Sequence, residues 1–331
     1  MENKVNKNPQ SIFANVFILF FLAFVIFSSL NSKSIERKTF VIEKGMSLNS
    51  LTNVLYEEGI IGNKSFFKYS VVLRGLAGNI PTGTFAIEGD VSNVKLIRTI
   101  FDEGPIRIKI TLPEGLKSEK VLEKIENALQ IQNNMLLTDS SFIEQFGIQA
   151  TSLEGYLFPD TYYFFQDMTI EEILTIMINQ FWNNFDQMLI NRANELGFTI
   201  HEVVTLASII EGEALFDSER KTISSVYHNR LRKNIKLQAD PTIQYLFQDG
   251  PKTLQTKHLT INSPYNTYMY YGLPPGPINN PGIKSIEAAL YPEDTDYLYF
   301  VAKGNGYHVF STNQSDHLKA KREYKKQKRM K

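Results

Sequence analysis

Residues 206–214, Leu206-Ala207-Ser208-Ile209-Ile210-Glu211-Gly212-Glu213-Ala214, decide how the larger part of this chain is read. At about 100° per residue, Val203, Leu206, Ala207, Ile210 and Ala214 share one apolar stripe, the pattern of a helix laid against a core. Glu211 and Glu213 fall about 80° to either side of that stripe. Both acids therefore sit where the helix passes from core to surface. A carboxyl half-sheltered by apolar neighbours holds its proton closer to neutrality, as a general acid must. Most border glutamates are plain solvated charges, and spacing alone does not separate the two readings.

Helical periodicity continues on both sides. Helices are expected at about 169–196, 199–214 and 218–233, after shorter ones at about 118–130 and 139–147. Ile106, Ile108, Ile110 and Leu112 alternate with Arg107, Lys109 and Thr111, which predicts a strand with one buried face, ended by Pro113-Glu114-Gly115. A domain boundary is expected near residue 105. Strands at 297–302 and 307–312 flank Lys303-Gly304-Asn305-Gly306, a hairpin turn. Three loops mix aromatics with amides and acids: 152–166, 237–243 and 263–282. Such surfaces suit a saccharide, with its apolar C–H faces and its hydroxyls; core packing and rigid connection are the plainer alternatives. A structureless loop of about twenty residues is uncommon inside a compact domain and is often functional.

The first hundred residues read differently. Thr39-Phe40-Val41-Ile42 predicts a short strand, and Ser47 a cap for a helix over 48–57 that stops at Gly59. An amphipathic run at 64–74, a strand at 83–87 and a Ser92-capped helix at 93–102 complete a small α+β module over 38–105. Its strand–helix opening resembles that of cell-wall-binding LysM modules. Before it, residues 11–30 are twenty uncharged residues, long enough as a helix to span a hydrocarbon core of roughly 30 Å. The apolar run of a cleaved signal is about 7–15 residues, so an uncleaved single-pass anchor is expected, after a short tail over 1–10. Lys4 and Lys7 before it, against Lys33, Arg37 and Lys38 after it, do not fix its orientation. The expected class is thus α+β: an N-terminal transmembrane helix, a LysM-like module, a larger mixed α+β catalytic domain over 106–318, and a basic tail over 319–331.

Composition narrows the chemistry. A chain of 331 residues with 43% hydrophobic and 12% aromatic content is ordered and long enough for two domains. Thirty-five basic residues balance thirty-five acidic ones. Eight basic residues and one acid lie in 319–331, so the tail carries +7 and the remainder −7. No general basic field for nucleic acid exists. The tail reads as a solvated helix end or as a patch drawn to anionic lipid or wall polymers. Without cysteine there are no disulfides, iron–sulfur clusters or thiolate zinc sites. His201-Glu202-Val203-Val204-Thr205 opens like a zincin helix but has Thr205 in place of the second ligand, and no phosphate-binding glycine motif occurs. Neither metal nor cofactor is expected.

ASIIEGEA (207–214) resembles the signature of the endolytic murein transglycosylases, the MltG or YceG-like family. The likeness continues in order through EGYLFPDTYYF (154–164), SERKTISSVYHNRL (218–231), LQADPTIQY (237–245), SPYNTY (263–268), GLPPGPINNPG (272–282) and YLYFVAKGNGYHVFSTN (297–313). The resemblance implies cleavage, without water, of the β-1,4 bond between N-acetylmuramic acid and N-acetylglucosamine inside a glycan strand. It implies Glu211 as the catalytic acid and base, a product ending in 1,6-anhydro-muramic acid, and Glu213, Gln238, Asp240, Asn266 and Tyr268 as sugar-binding residues. Glu154 and Asp160 are equally readable as turn residues. Gly212 departs from the lysine the family often carries there. Implied partners are peptidoglycan glycan strands, the membrane through 11–30, and cell-wall synthesis enzymes whose nascent strands are shortened. The implied location is the cell inner (cytoplasmic) membrane, with the catalytic domain on the periplasmic or wall side. Two rival readings use the same residues: a hydrolytic muramidase with Glu213, Glu219 or Asp240 as second carboxylate, and a non-catalytic wall-binding scaffold.

Overall fold

A computed structural model describes residues 9–30, 32–131, 135–247, 250 and 252–330. The expected anchor is helical, α1 (Pro9–Leu30), and carries no charged residue. Among the described residues no helix is long and apolar enough to cross a membrane. Several α1 side chains lie outside the described set, so a membrane role for 11–30 rests on sequence alone. Most of the short tail expected at 1–10 is also outside the described residues.

One compact unit comprises Met1–Ile108 and Tyr163–Met168. In it β1 (Lys33–Ile42) is followed by α2 (Leu48–Glu57) and α3 (Lys64–Leu73), and β2 (Gly83–Val91) by α4 (Asn93–Arg98). Side chains of Ser47, Asn63 and Ser92 accept from the first free N–H groups of the three helices, which is why each starts where it does. β1 and β2 are antiparallel, with Phe40 opposite Phe85 and their rings stacked 5.6 Å apart. Leu51, Leu55, Phe67 and Leu96 close the core over them. β1 starts six residues earlier than expected because β2 runs on to Val91 and pairs with Lys33, through a bulge between Ile35 and Lys38. The helix expected through 102 is α-helical only to Arg98. Residues Thr99–Glu103 form a π turn closed by the Gly104 N–H on the Thr99 carbonyl at 3.1 Å.

The second unit comprises Lys109–Tyr162 and Thr169–Lys331. β3 (Arg107–Thr111) pairs with a strand that sequence left inside a loop, β4 (Thr161–Phe165). Tyr162 and Phe164 turn inward there while Tyr163 faces out, a period of two hidden by aromatic residues on both faces. Between them lie α5 (Ser118–Leu129) and α6 (Ser140–Glu144). The long helix expected at 169–196 is two, α7 (Ile170–Asn184) and α8 (Gln187–Leu196). Phe185 leaves helical geometry at φ −91°, ψ 73°, and the Asp186 carboxylate caps α8 through the Leu189 N–H at 3.0 Å.

α9 (Ile200–Glu213) starts in a capping box between Thr199 and Glu202. It is buried nearly all round from Val203 to Ile210, not along one stripe, with α12 (Ile283–Leu290) alongside and α8, α10 (Asp217–Arg232) and α11 (Asp240–Tyr245) as further neighbours. Thr205 and Ser208 enter this core because their hydroxyls donate to the carbonyls of His201 and Thr205. Each buried Ile or Leu side chain contributes roughly 1.5–3 kcal/mol, so α9 is firmly fixed and its polar end is held in place. β5 (Tyr299–Ala302) and β6 (His308–Ser311) form the expected hairpin, and α13 (Gln314–Met330) carries the basic tail.

Candidate active site

Ala214 leaves the helix in an extended conformation, which makes Glu213 the last residue of α9. The Glu213 carboxyl is half-buried. Its Oε1 accepts from the Tyr227 hydroxyl on α10 at 2.9 Å, and the backbone N–H of Asp240 also donates to it. Burial pushes this carboxyl up to about 7; the Tyr227 bond opposes that, the nearby Asp240 charge adds to it, and the Asp240 N–H bond opposes it. Burial and the facing Glu213 push the Tyr227 hydroxyl well above the ordinary phenol range.

Asp240 opens α11, with Pro241 in the first turn. The turn before it is tightly made. Gln238 takes φ +49°, a left-handed value few residues other than glycine adopt, and its N–H donates to the Thr267 carbonyl at 3.1 Å. The Ala239 N–H donates to Thr267 Oγ1 at 2.9 Å. The Tyr268 hydroxyl donates to Asp240 Oδ1 at 2.5 Å. Glu213, Gln238, Asp240 and Tyr268, all expected from sequence, are thereby gathered at one place.

A cavity of about 350 Å³ opens there, walled by Lys117, Glu213, Asp240, Tyr245 and Asn279 among others. Lys117 Nζ donates to the carbonyls of Tyr245 and Phe247, which fixes that wall. A second cavity of about 630 Å³ is lined by Glu119, Leu122, Ser152 and Glu154, and Tyr245 borders both. A ring between two polar hollows can stack on sugar C–H faces while carboxyls and amides reach hydroxyls.

Two expected residues are elsewhere. The Glu211 side chain lies in a basic grip: Arg220 Nη1 lies 3.0 Å from Oε2 and Nη2 donates to Oε1 at 3.2 Å. Ser285 Oγ and the Gly282 N–H also donate to Oε2, at 2.8 and 3.2 Å, so the carboxylate caps α12. Every hydrogen-bond partner of Glu211 is a donor, and the side chain is 7% exposed. Asn266 is fully buried, and its amide donates to the carbonyls of Leu259 and Ile261 while its oxygen accepts from the Tyr268 N–H. These bonds shape the loop. Gly212 allows close packing: a Cβ there would lie 2.7 Å from Pro241 Cβ.

Glu154 and Asp160 are frame residues. Glu154 Oε1 accepts from the Ser118 N–H at 2.9 Å and from Ser118 Oγ, and burial pushes its carboxyl up to about 7 against those bonds. Asp160 accepts from the Thr161 N–H and from Gln180. Sequence reasoning missed the residue that joins three motifs, Asn280. Its oxygen accepts from the N–H groups of Gly155 and Leu157 at 3.1 and 2.9 Å, and its amide donates to the Leu116 carbonyl and Ser118 Oγ. The doubled Asn in Ile278-Asn279-Asn280-Pro281-Gly282 was the available signal. Tyr227, Tyr245 and Arg220 lay inside quoted motifs with no chemistry attached to them.

The YceG-like family matches residues 40–323. An endolytic murein transglycosylase of Bacillus subtilis (strain 168) is 34% identical over 302 residues, covering 86% of this chain and 83% of that protein. An endolytic murein transglycosylase of Streptococcus pneumoniae (strain ATCC BAA-255 / R6) is 25% identical over 324 residues, 87% of this chain but 58% of the longer relative. Among solved structures, a yceG-like protein of Listeria monocytogenes superimposes with a TM-score of 0.61 at 31% identity, covering 86% of this chain and 98% of that one.

Proposed function

Because this chain belongs to the YceG-like family, we propose that it is an endolytic lytic transglycosylase of peptidoglycan, with Glu213 rather than Glu211 as the group that moves the proton. Neutral Glu213 protonates the glycosidic oxygen as the bond to C1 of muramic acid breaks. The resulting carboxylate then takes the proton of the muramyl 6-hydroxyl as that oxygen bonds to C1, which closes the 1,6-anhydro ring and restores the acid. One carboxyl suffices because the nucleophile is already part of the substrate. A hydrolase needs a second carboxylate to activate water or form an ester.

The observation that carries this reading is the Glu213 environment: a cavity wall, no cation in hydrogen-bond contact among the described residues, and a carboxyl pushed to about 7. Sheltered in that way, it is still substantially protonated near neutrality, and turnover falls as pH rises above that value. Digestion of purified peptidoglycan tests it. Glu213→Gln is expected to slow release of anhydro-ended fragments by roughly 10²–10⁴-fold. Glu211→Gln should keep the chemistry and lose stability. A fully active Glu213→Gln beside an inactive Glu211→Gln would return the role to Glu211. Products heavier by one water, about 18 Da, would make the enzyme a muramidase.

We also propose that 11–30 anchors the chain in the cytoplasmic membrane with the catalytic unit on the wall side, near cell-wall synthesis enzymes whose nascent strands it shortens. Support comes from twenty successive uncharged residues and from a substrate that lies outside the cytoplasm.

A further inference from the structure

Glu213 is faced from several elements. α10 brings Tyr227, which donates to it, with the Arg230 charge beside Tyr227; α11 brings Asp240; Tyr268 also lies close; Lys117 shares the cavity wall. On its own helix, Glu211 is occupied by Arg220. Asp240 alone combines an acidic side chain with a backbone bond to Glu213 and a place on the same wall. It has no part in a one-carboxyl proton relay. Yet it is firmly held, by the left-handed Gln238 turn, by Pro241 and by the Tyr268 hydroxyl.

A second anion beside a carboxyl disfavours its ionisation. We propose that Asp240 is the positioning partner of Glu213, helping to keep the proton on it until the glycosidic oxygen arrives and extending the alkaline limit that burial sets. Tyr268 serves this role by fixing where the Asp240 charge points. The inference rests on the reading of Glu213 as donor.

Rates of anhydro-fragment release by the full-length protein in detergent, measured across pH, test it. Asp240→Asn keeps the shape and removes the charge. Its alkaline limb is expected to move toward acid by about half to one pH unit, so that at pH 8 its rate relative to its own optimum falls roughly three- to tenfold below wild type. Asp240→Glu, which restores a charge, should recover most of that shift. If Asp240→Asn fails to fold by circular dichroism, Asp240→Ser replaces it, since serine is also well tolerated in a first helical turn. A folded neutral variant whose limb coincides with wild type, whatever its KM, overturns the proposal. A fully active Glu213→Gln would instead overturn the donor reading and this inference with it.

Discussion

A carboxyl gripped by a guanidinium and a carboxyl sheltered beside another acid are different tools, and α9 carries one of each two residues apart. Glu211 and Glu213 are near mirror images on the helix wheel. Arg220, Gly282 and Ser285 hold one as a helix cap; Tyr227 and Asp240 surround the other, which we propose as the acid. Glu154 offers a test of buried-carboxyl behaviour away from catalysis. Its folded-state value, about 7, lies above the unfolded one, so the folded chain binds this proton more tightly. The associated stability is fully present below the unfolded value near 4.5 and is lost as pH rises through 7. Wild-type stability should therefore fall between pH 5 and 7.5, with Glu154 contributing on the order of 2–3 kcal/mol. Glu154→Gln keeps the acceptor for the Ser118 N–H and should flatten part of that slope in chemical denaturation; an unchanged slope would contradict the assignment. Periodicity put both glutamates on the last turn of a core helix. It could not assign their roles, because the deciding partners lie up to 74 residues away in sequence.

At the scale of elements, the approach of α11 to α9 governs the site. Gly212 sits under Pro241, and an added methyl would push α11 away together with Asp240. Gly212→Ala should raise helix propensity by about 1 kcal/mol while crowding the contact, two effects that oppose each other in stability. Turnover should suffer more, by about tenfold, because small displacements of catalytic groups are costly. Parallel thermal denaturation and product-release assays separate these effects; unchanged turnover would show that α11 tolerates the shift. Most elements were legible as periods, including α2, α5, α9 and the β5–β6 hairpin. The exceptions have local causes. Phe185 and Asp186 interrupt a continuous apolar period at the start of α8, and Tyr163 between Tyr162 and Phe164 masks the alternation of β4.

For the whole molecule, the membrane proposal makes the simplest claim. Full-length protein should pellet with membranes and need detergent for release, while a chain lacking residues 1–31 should remain in the aqueous fraction with its glycan-cleaving activity intact. Recovery of both in the supernatant would remove the anchor. The larger unit has a different whole-chain property, seen at Asn280. The segments it fastens, 116–118 and 155–157, precede it by more than 120 residues, and contacts so distant in sequence close late during folding. A polypeptide interrupted between residues 240 and 280 would contain Glu213 and Asp240 yet lack the side chain that joins 116–118 to 155–157. The cleft is thus expected to be complete only once synthesis has passed residue 280.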